Sequence, residues 1–172
     1  MSRQASSIRF PLFDPLAFAR AGASASMQFG TRELERLGEA GALVLAPLDV
    51  QLAGRRDDEG KCWLDMTVRG MLQLRCQRCL QPMQWELDTR VCLLLVPPGA
   101  AWPEDELEDD RYDAIEALPE MDARALAEDE ALLCLPMAPM HDTCDLPADA
   151  DADSADKPFA ALARLRRGGN DE

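Results

Sequence analysis

Cys76 and Cys79 stand with two residues between them in "LRCQRCLQPM", Leu74 to Met83. His141 and Cys144 repeat that spacing in "MAPMHDTCDLP", and His141 is the only histidine of the chain. Three thiolates and one imidazole make a tetrahedral zinc shell. The spacing lets one tight turn offer two ligands at about 2.3 Å each. Four protein ligands leave no open position for water or substrate, so such a site is structural rather than catalytic. Arg75 and Arg78 flank the first pair and would offset thiolate charge. A second reading stays open, in which the two cysteines are small turn residues and His141 caps a helix end. A thioredoxin-type redox pair fits less well, because that motif belongs at a helix start. Here Pro82 and the strand patterns on both sides indicate a hairpin. Cys62, Cys92 and Cys134 lie in apolar patterns and read as core residues.

Other catalytic constellations are missing. The chain has no Gly-rich phosphate loop and no G-x-S-x-G elbow. One histidine among many carboxylates does not define acid–base chemistry. Glu128, Asp129 and Glu130 are consecutive, so on a helix they point to different sides and read as a solvated face. The expectation is a protein that is not an enzyme.

The elements that must position these residues follow from hydrophobic period. The segment with Pro11 and Pro15 reads as an irregular or edge-strand start. "TRELERLGEAG" predicts a short helix over Thr31–Glu39, capped by Thr31 and ended by Gly38 and Gly41. Three alternating runs follow: Val44–Leu52, "CWLDMTVRGMLQLRC" and "QWELDTRVCLLLV". Pro47 marks an edge or bulge, and Gly70 a bulge or bend. Together they predict an antiparallel meander with Cys76 and Cys79 at its second hairpin. "RYDAIE" is a candidate short extra strand. "MDARALAEDEALLCLPMAP" gives the best helix signal, capped by Asp122 and stopped by Pro136. Its side carrying Ala125, Leu126, Ala131, Leu132 and Leu133 should pack on the sheet. "KPFAALARLRR" reads as a short basic amphipathic helix. The fold class is therefore α+β: an antiparallel sheet, an open meander or barrel-like, packed by one or two helices. The domain spans residues 1–146. Residues 147–157 form an acidic flexible linker, 158–167 the short basic C-terminal helix, and 168–172 a disordered tail.

Composition bounds the rest. The 172 residues are 47% hydrophobic but only 5% aromatic, so the core must be mostly Leu, Val, Ala and Met. No apolar run approaches bilayer length, and the N-terminus lacks a secretory pattern. A cytoplasmic location is the expectation, with thiols reduced or metal-bound. The net charge of -14 is uneven: residues 1–97 carry +1, residues 98–156 carry -17, and residues 157–172 carry +2. An acidic half repels phosphates and attracts basic proteins.

Several stretches together resemble one family. "LRCQRCLQPM" resembles its central cysteine motif. "LAEDEALLCLPMAPMHDTC" resembles its acidic helix, Leu-Pro stop and His/Cys loop, and "KPFAALARLR" its C-terminal signature. The chain is identified by these as a member of the YceD family, named for large ribosomal RNA subunit accumulation. The resemblance implies a part in 23S rRNA accumulation or processing and in large-subunit assembly, and no catalytic activity. Joined to the charge pattern, it makes a basic large-subunit ribosomal protein or a pre-50S particle the expected partner. Glu104, Asp105, Glu106, Glu108, Asp109, Asp110, Glu128, Asp129 and Glu130 are then the candidate partner-binding residues. The alternative is direct rRNA binding through Arg75, Arg78, Arg164, Arg166 and Arg167, with Arg55, Arg56 and Arg90 nearby. Trp63 and Trp85 could stack on bases, but their alternate spacing suits a core.

Overall fold

The computed structural model describes residues 12–103 and 111–145. In chain order the elements are β1 (Leu12–Phe13), α1 (Pro15–Arg20), β2 (Ser24–Phe29), α2 (Glu35–Glu39), β3 (Leu43–Val44) and β4 (Leu48–Arg56). Then come β5 (Cys62–Arg75), β6 (Pro82–Val96), β7 (Asp113–Glu116), β8 (Met121–Asp122) and α3 (Ala123–Cys134). The fold is α+β, as expected. The main sheet runs β2-β4-β5-β6-β7, with β3 also paired to β5. All its pairings are antiparallel except β6 with β7, which is parallel. The sheet stays open between β2 and β7, so the barrel-like alternative does not form. No helix among the described residues is long and apolar enough to cross a membrane.

The β5–β6 hairpin dominates. Its register is unbroken from Cys62 opposite Leu95 to Arg75 opposite Pro82. Alternate residues of β5 and β6, such as Leu64, Met66, Val68, Leu72, Leu87 and Leu93, are buried on one face. The expected bulge at Gly70 is absent. A Cβ there would lie 2.2 Å from Leu48 Cδ2, so the glycine admits the Leu48 side chain. The irregularity falls on the partner instead. β3 and β4 pair to the same side of β5 and are interrupted at residues 45–47, where Pro47 cannot donate to a ladder.

The helices cover the buried face. The edge-strand start is present as β1, which pairs only with β8, and a helix follows it at once. Asp14 accepts the Ala17 N–H at 3.0 Å and Pro15 opens α1, with Phe18 and Ala19 buried against the sheet. α1 lies so close to β4 that a Cβ on Gly54 would meet Ala19 Cα at 2.7 Å. α2 begins four residues later than expected. Thr31 does not cap it; its hydroxyl donates to the Val44 carbonyl at 3.0 Å.

α3 is capped by Asp122, which accepts from Arg124 N at 2.8 Å, and it stops before Pro136. Its buried stripe is Ala123, Ala127, Glu128 and Ala131. Leu133, expected to pack inward, is 79% exposed, while Ala125, Leu126 and Leu132 are half-buried. Small alanines let the helix approach the sheet closely and leave its longer side chains at the margins.

Candidate metal centre

The connection after β5 folds back on itself. Cys76 N donates to Gln81 O at 2.9 Å, and Leu80 N donates to Cys76 O at 3.0 Å. Leu80 sits at φ 63, a left-handed conformation rare for a leucine. That tight turn aims both thiols to one side. The loop after α3 is bound to it by Gln77 N donating to Pro139 O at 2.8 Å. His141 and Cys144 thereby face Cys76 and Cys79, although the two pairs are more than sixty residues apart in sequence.

The four ligand atoms all lie within 4.8 Å of one another. Cys76 Sγ is 3.8 Å from Cys144 Sγ, and Cys79 Sγ is 3.3 Å from His141 Nδ1. A tetrahedral ion held at about 2.3 Å by sulfur and about 2.0 Å by nitrogen sets donor–donor edges of roughly 3.5–3.8 Å. The Cys76–Cys144 contact matches such an edge, the Cys79–His141 contact is slightly shorter than one, and the widest pairs, at up to 4.8 Å, would have to draw in to close on an ion. Cys76 and Cys79 are buried, whereas His141 and Cys144 are half-buried. The donor set and its geometry therefore suit a tetrahedral soft-to-borderline metal.

Electrostatics prepares Cys76 for that role. Burial alone would raise the Cys76 pKa, but the backbone N–H groups of Cys79, His141 and Arg78 outweigh it and bring the thiol down to about 5. For Cys79, a bond from the Gln81 backbone lowers the pKa, yet burial and the neighbouring Cys76 and Cys144 sulfurs push it up. Arg78 stands among them. Its Nε donates to Cys144 Sγ at 3.0 Å and its terminal nitrogen to His141 O at 2.7 Å. Its own pKa is raised first by that bond to Cys144. The arginine beside the first cysteine pair thus offsets charge on the second pair. Arg75 turns away, donating to Leu80 O at 3.2 Å. Only the contact map shows this division, because neighbouring arginines look alike in a sequence.

The other candidate residues fall elsewhere. Glu104, Asp105, Glu106, Glu108, Asp109 and Asp110 lie outside the described residues, as do Arg164, Arg166 and Arg167. The linker and C-terminal helix expected over 147–167 lie outside them too. The solvated face expected at Glu128–Glu130 is corrected in part. Glu128 is 5% exposed, and its Oε1 accepts the Leu37 N–H at 3.0 Å. Asp129 pairs with Arg36 of α2. Glu130 is half-buried, and burial, aided by Asp113 and Asp129, pushes its pKa up. Two of the three carboxylates therefore hold α2 to α3.

Trp63 lies on the face opposite the main core, packed with Leu94, Val96 and Tyr112, while Trp85 is half-buried against that core. Arg55 is engaged by Asp65 at 3.0 Å and stacks 4.7 Å above Trp63. Cys62 is in the core as expected, and Cys92 and Cys134 are half-buried.

Fold and site together define a class: an open α+β sheet whose longest hairpin meets a distant loop at a cluster of three cysteines and one histidine. Comparison with known proteins agrees on one family. The family model described as large ribosomal RNA subunit accumulation protein YceD matches residues 64–166, a span that contains all four cluster residues. A curated protein of Haemophilus influenzae with that same name is 30% identical over 173 aligned positions, covering 93% of this chain and 98% of that protein. This chain belongs to the YceD family. No solved structure matches it.

Proposed function

We propose that Cys76, Cys79, His141 and Cys144 hold a structural zinc ion, and that the chain promotes large ribosomal RNA subunit accumulation without catalysis. The observation that carries this reading is the cluster of three cysteines and one histidine, which would fill every tetrahedral position with protein atoms. A site of that kind fixes a surface; it does not turn over a substrate. When bound, the ion supplies a fixed tetrahedral centre that locks the hairpin turn to the loop after α3. Arg78 holds the Cys144 thiolate in place, and the backbone N–H of His141 does the same for Cys76 at 3.5 Å.

The partner in this reading is a basic large-subunit ribosomal protein or a pre-50S particle, met in the cytoplasm during assembly of 23S rRNA. Support comes from family membership and from the -17 carried by residues 98–156. Charge of that density steers basic partners and is screened by salt. Direct rRNA binding at the hairpin is weakened by Arg78, whose guanidinium is already committed to Cys144 and to two loop carbonyls.

Complementation tests the function. In a host lacking this gene, 23S rRNA should fall and be restored by the wild-type chain. Cys76→Ser and His141→Ala should restore it poorly. Normal 23S levels without the gene, or full rescue by both variants, would contradict the proposal.

A further inference from the structure

Nine large apolar side chains are exposed among the described residues, and six of them sit at the metal end of the molecule. Leu80 is in the cysteine turn at 43% exposure. Met137 at 103% and Met140 at 54% are in the loop that carries His141, and Leu133 at 79% is on the last turn of α3. Leu43 and Leu45 lie beside the same end of β5, opposite Gln73 and bonded to Met71 O respectively. Scattered exposed leucines are ordinary, but a collar around one rigid turn marks a surface that something covers.

We infer that this collar is the docking surface for the chain's own residues 158–167. Three features of the chain name that occupant. The described residues end at Asp145, directly after the ligand Cys144, so the C-terminal segment is tethered inside the collar itself. Twelve residues, 146–157, separate Asp145 from Pro158 and span up to about 40 Å, enough to reach any part of the collar. A short tether also holds its end near the surface at an effective concentration on the order of millimolar. In residues 158–167, Phe159, Leu162 and Leu165 recur every third position, a repeat that gathers them on one side of a helix.

Charge agrees with this pairing. Arg164, Arg166 and Arg167 bring three positive charges to an end whose ligand loop exposes Asp142 and Asp145, with Arg75 the exposed cation of the cysteine turn. The family match also runs through Arg166, so the segment belongs to the same unit as the metal cluster. Methionine-rich apolar surface suits a short helix, because unbranched thioethers adapt to the face they meet.

Methionine-methyl NMR on the full, metal-loaded chain tests the docking. Met137→Leu and Met140→Leu assign the two signals, and Met66, 2% exposed in the core, reports the fold. In wild type both collar methyls should resonate away from free methionine and show through-space contacts to the Phe159 ring. Phe159→Asp with Leu162→Asp should return them to the free position, leave Met66 unmoved, and speed their oxidation by hydrogen peroxide several-fold. Absence of Phe159 contacts in wild type overturns the inference whatever the variant does. Collar shifts that grow with protein concentration overturn it too, because they place a second copy on the surface.

Discussion

The side chain of Arg78 makes the cluster more than four ligands. It holds Cys144 Sγ and the His141 carbonyl together, so it fixes the second ligand pair relative to the first. Such supporting bonds are commonly worth 10–100-fold in metal affinity, and Arg78→Met should weaken zinc binding by about that factor. Competition with a chromophoric chelator measures this directly. On the same reading, untagged wild-type chain carries one zinc, and Cys76→Ser and His141→Ala carry none by elemental analysis. Full-occupancy zinc in either variant would place the ion elsewhere.

Asp57 gives an independent test at the same scale. Its carboxyl is held below the usual range, first by the Trp63 indole N–H at 2.8 Å and, against the opposing effect of burial, by backbone bonds from Lys61 and Glu59. A depressed folded-state pKa contributes stability that is present above the unfolded value of about 3.9 and lost as pH falls through the folded one. The Trp63 indole N–H signal should therefore move in acid below about pH 3.9 in wild type. In Asp57→Asn it should stay flat across that window.

Between elements, the contact of α2 with α3 shows how a buried acceptor stabilises. Leu34 begins α2 without a side-chain cap, and Glu128 of α3 supplies the missing acceptor to Leu37 N. Glu128→Ala leaves that buried donor unmade and should cost about 1–3 kcal/mol in denaturant unfolding. Glu128→Gln keeps an acceptor oxygen and should recover much of the loss. Equal cost for both variants would mean that charge, rather than capping, matters.

The same helix shows where a sequence is legible. Asp122 before an apolar-periodic run marked its start, and Pro136 its stop, since both signals act within one turn. Glu128 read as solvated because nothing local shows which of three consecutive acids meets another helix. Leu133 read as core because a period assigns a face but not how close small alanines bring the helix. Asp14–Pro15 carried a cap signal that the surrounding prolines obscured. The alternation of β5 and β6 was plain, whereas the parallel pairing of β7 depends on a connection of sixteen residues whose path no period encodes.

At the scale of the whole molecule, charge is distributed unevenly along the chain. The sheet half is nearly neutral, and the acidity lies in residues 98–156. Neutralising Glu104, Asp105, Glu106, Glu108, Asp109 and Asp110 should slow capture of a basic large-subunit protein at low salt. The difference from wild type should shrink as ionic strength shortens the Debye length toward about 8 Å. Association rates by stopped-flow or surface capture read this out, and rates equal to wild type at low salt would remove acidic steering from the proposal. The four cluster residues were legible as two spaced pairs, but their meeting was a property of the whole fold, fixed by the hairpin register and by where α3 ends.

The cluster joins Cys76 to Cys144 across 68 positions. Closing a loop of that length is slow relative to zipping a hairpin, and its entropy is lost before the bond forms. The hairpin can therefore bring its two thiols together before the histidine loop reaches them. If the cluster holds zinc as proposed, tight capture would wait for α3 to settle on the sheet, because a chain without its C-terminal half would offer the ion only two ligands.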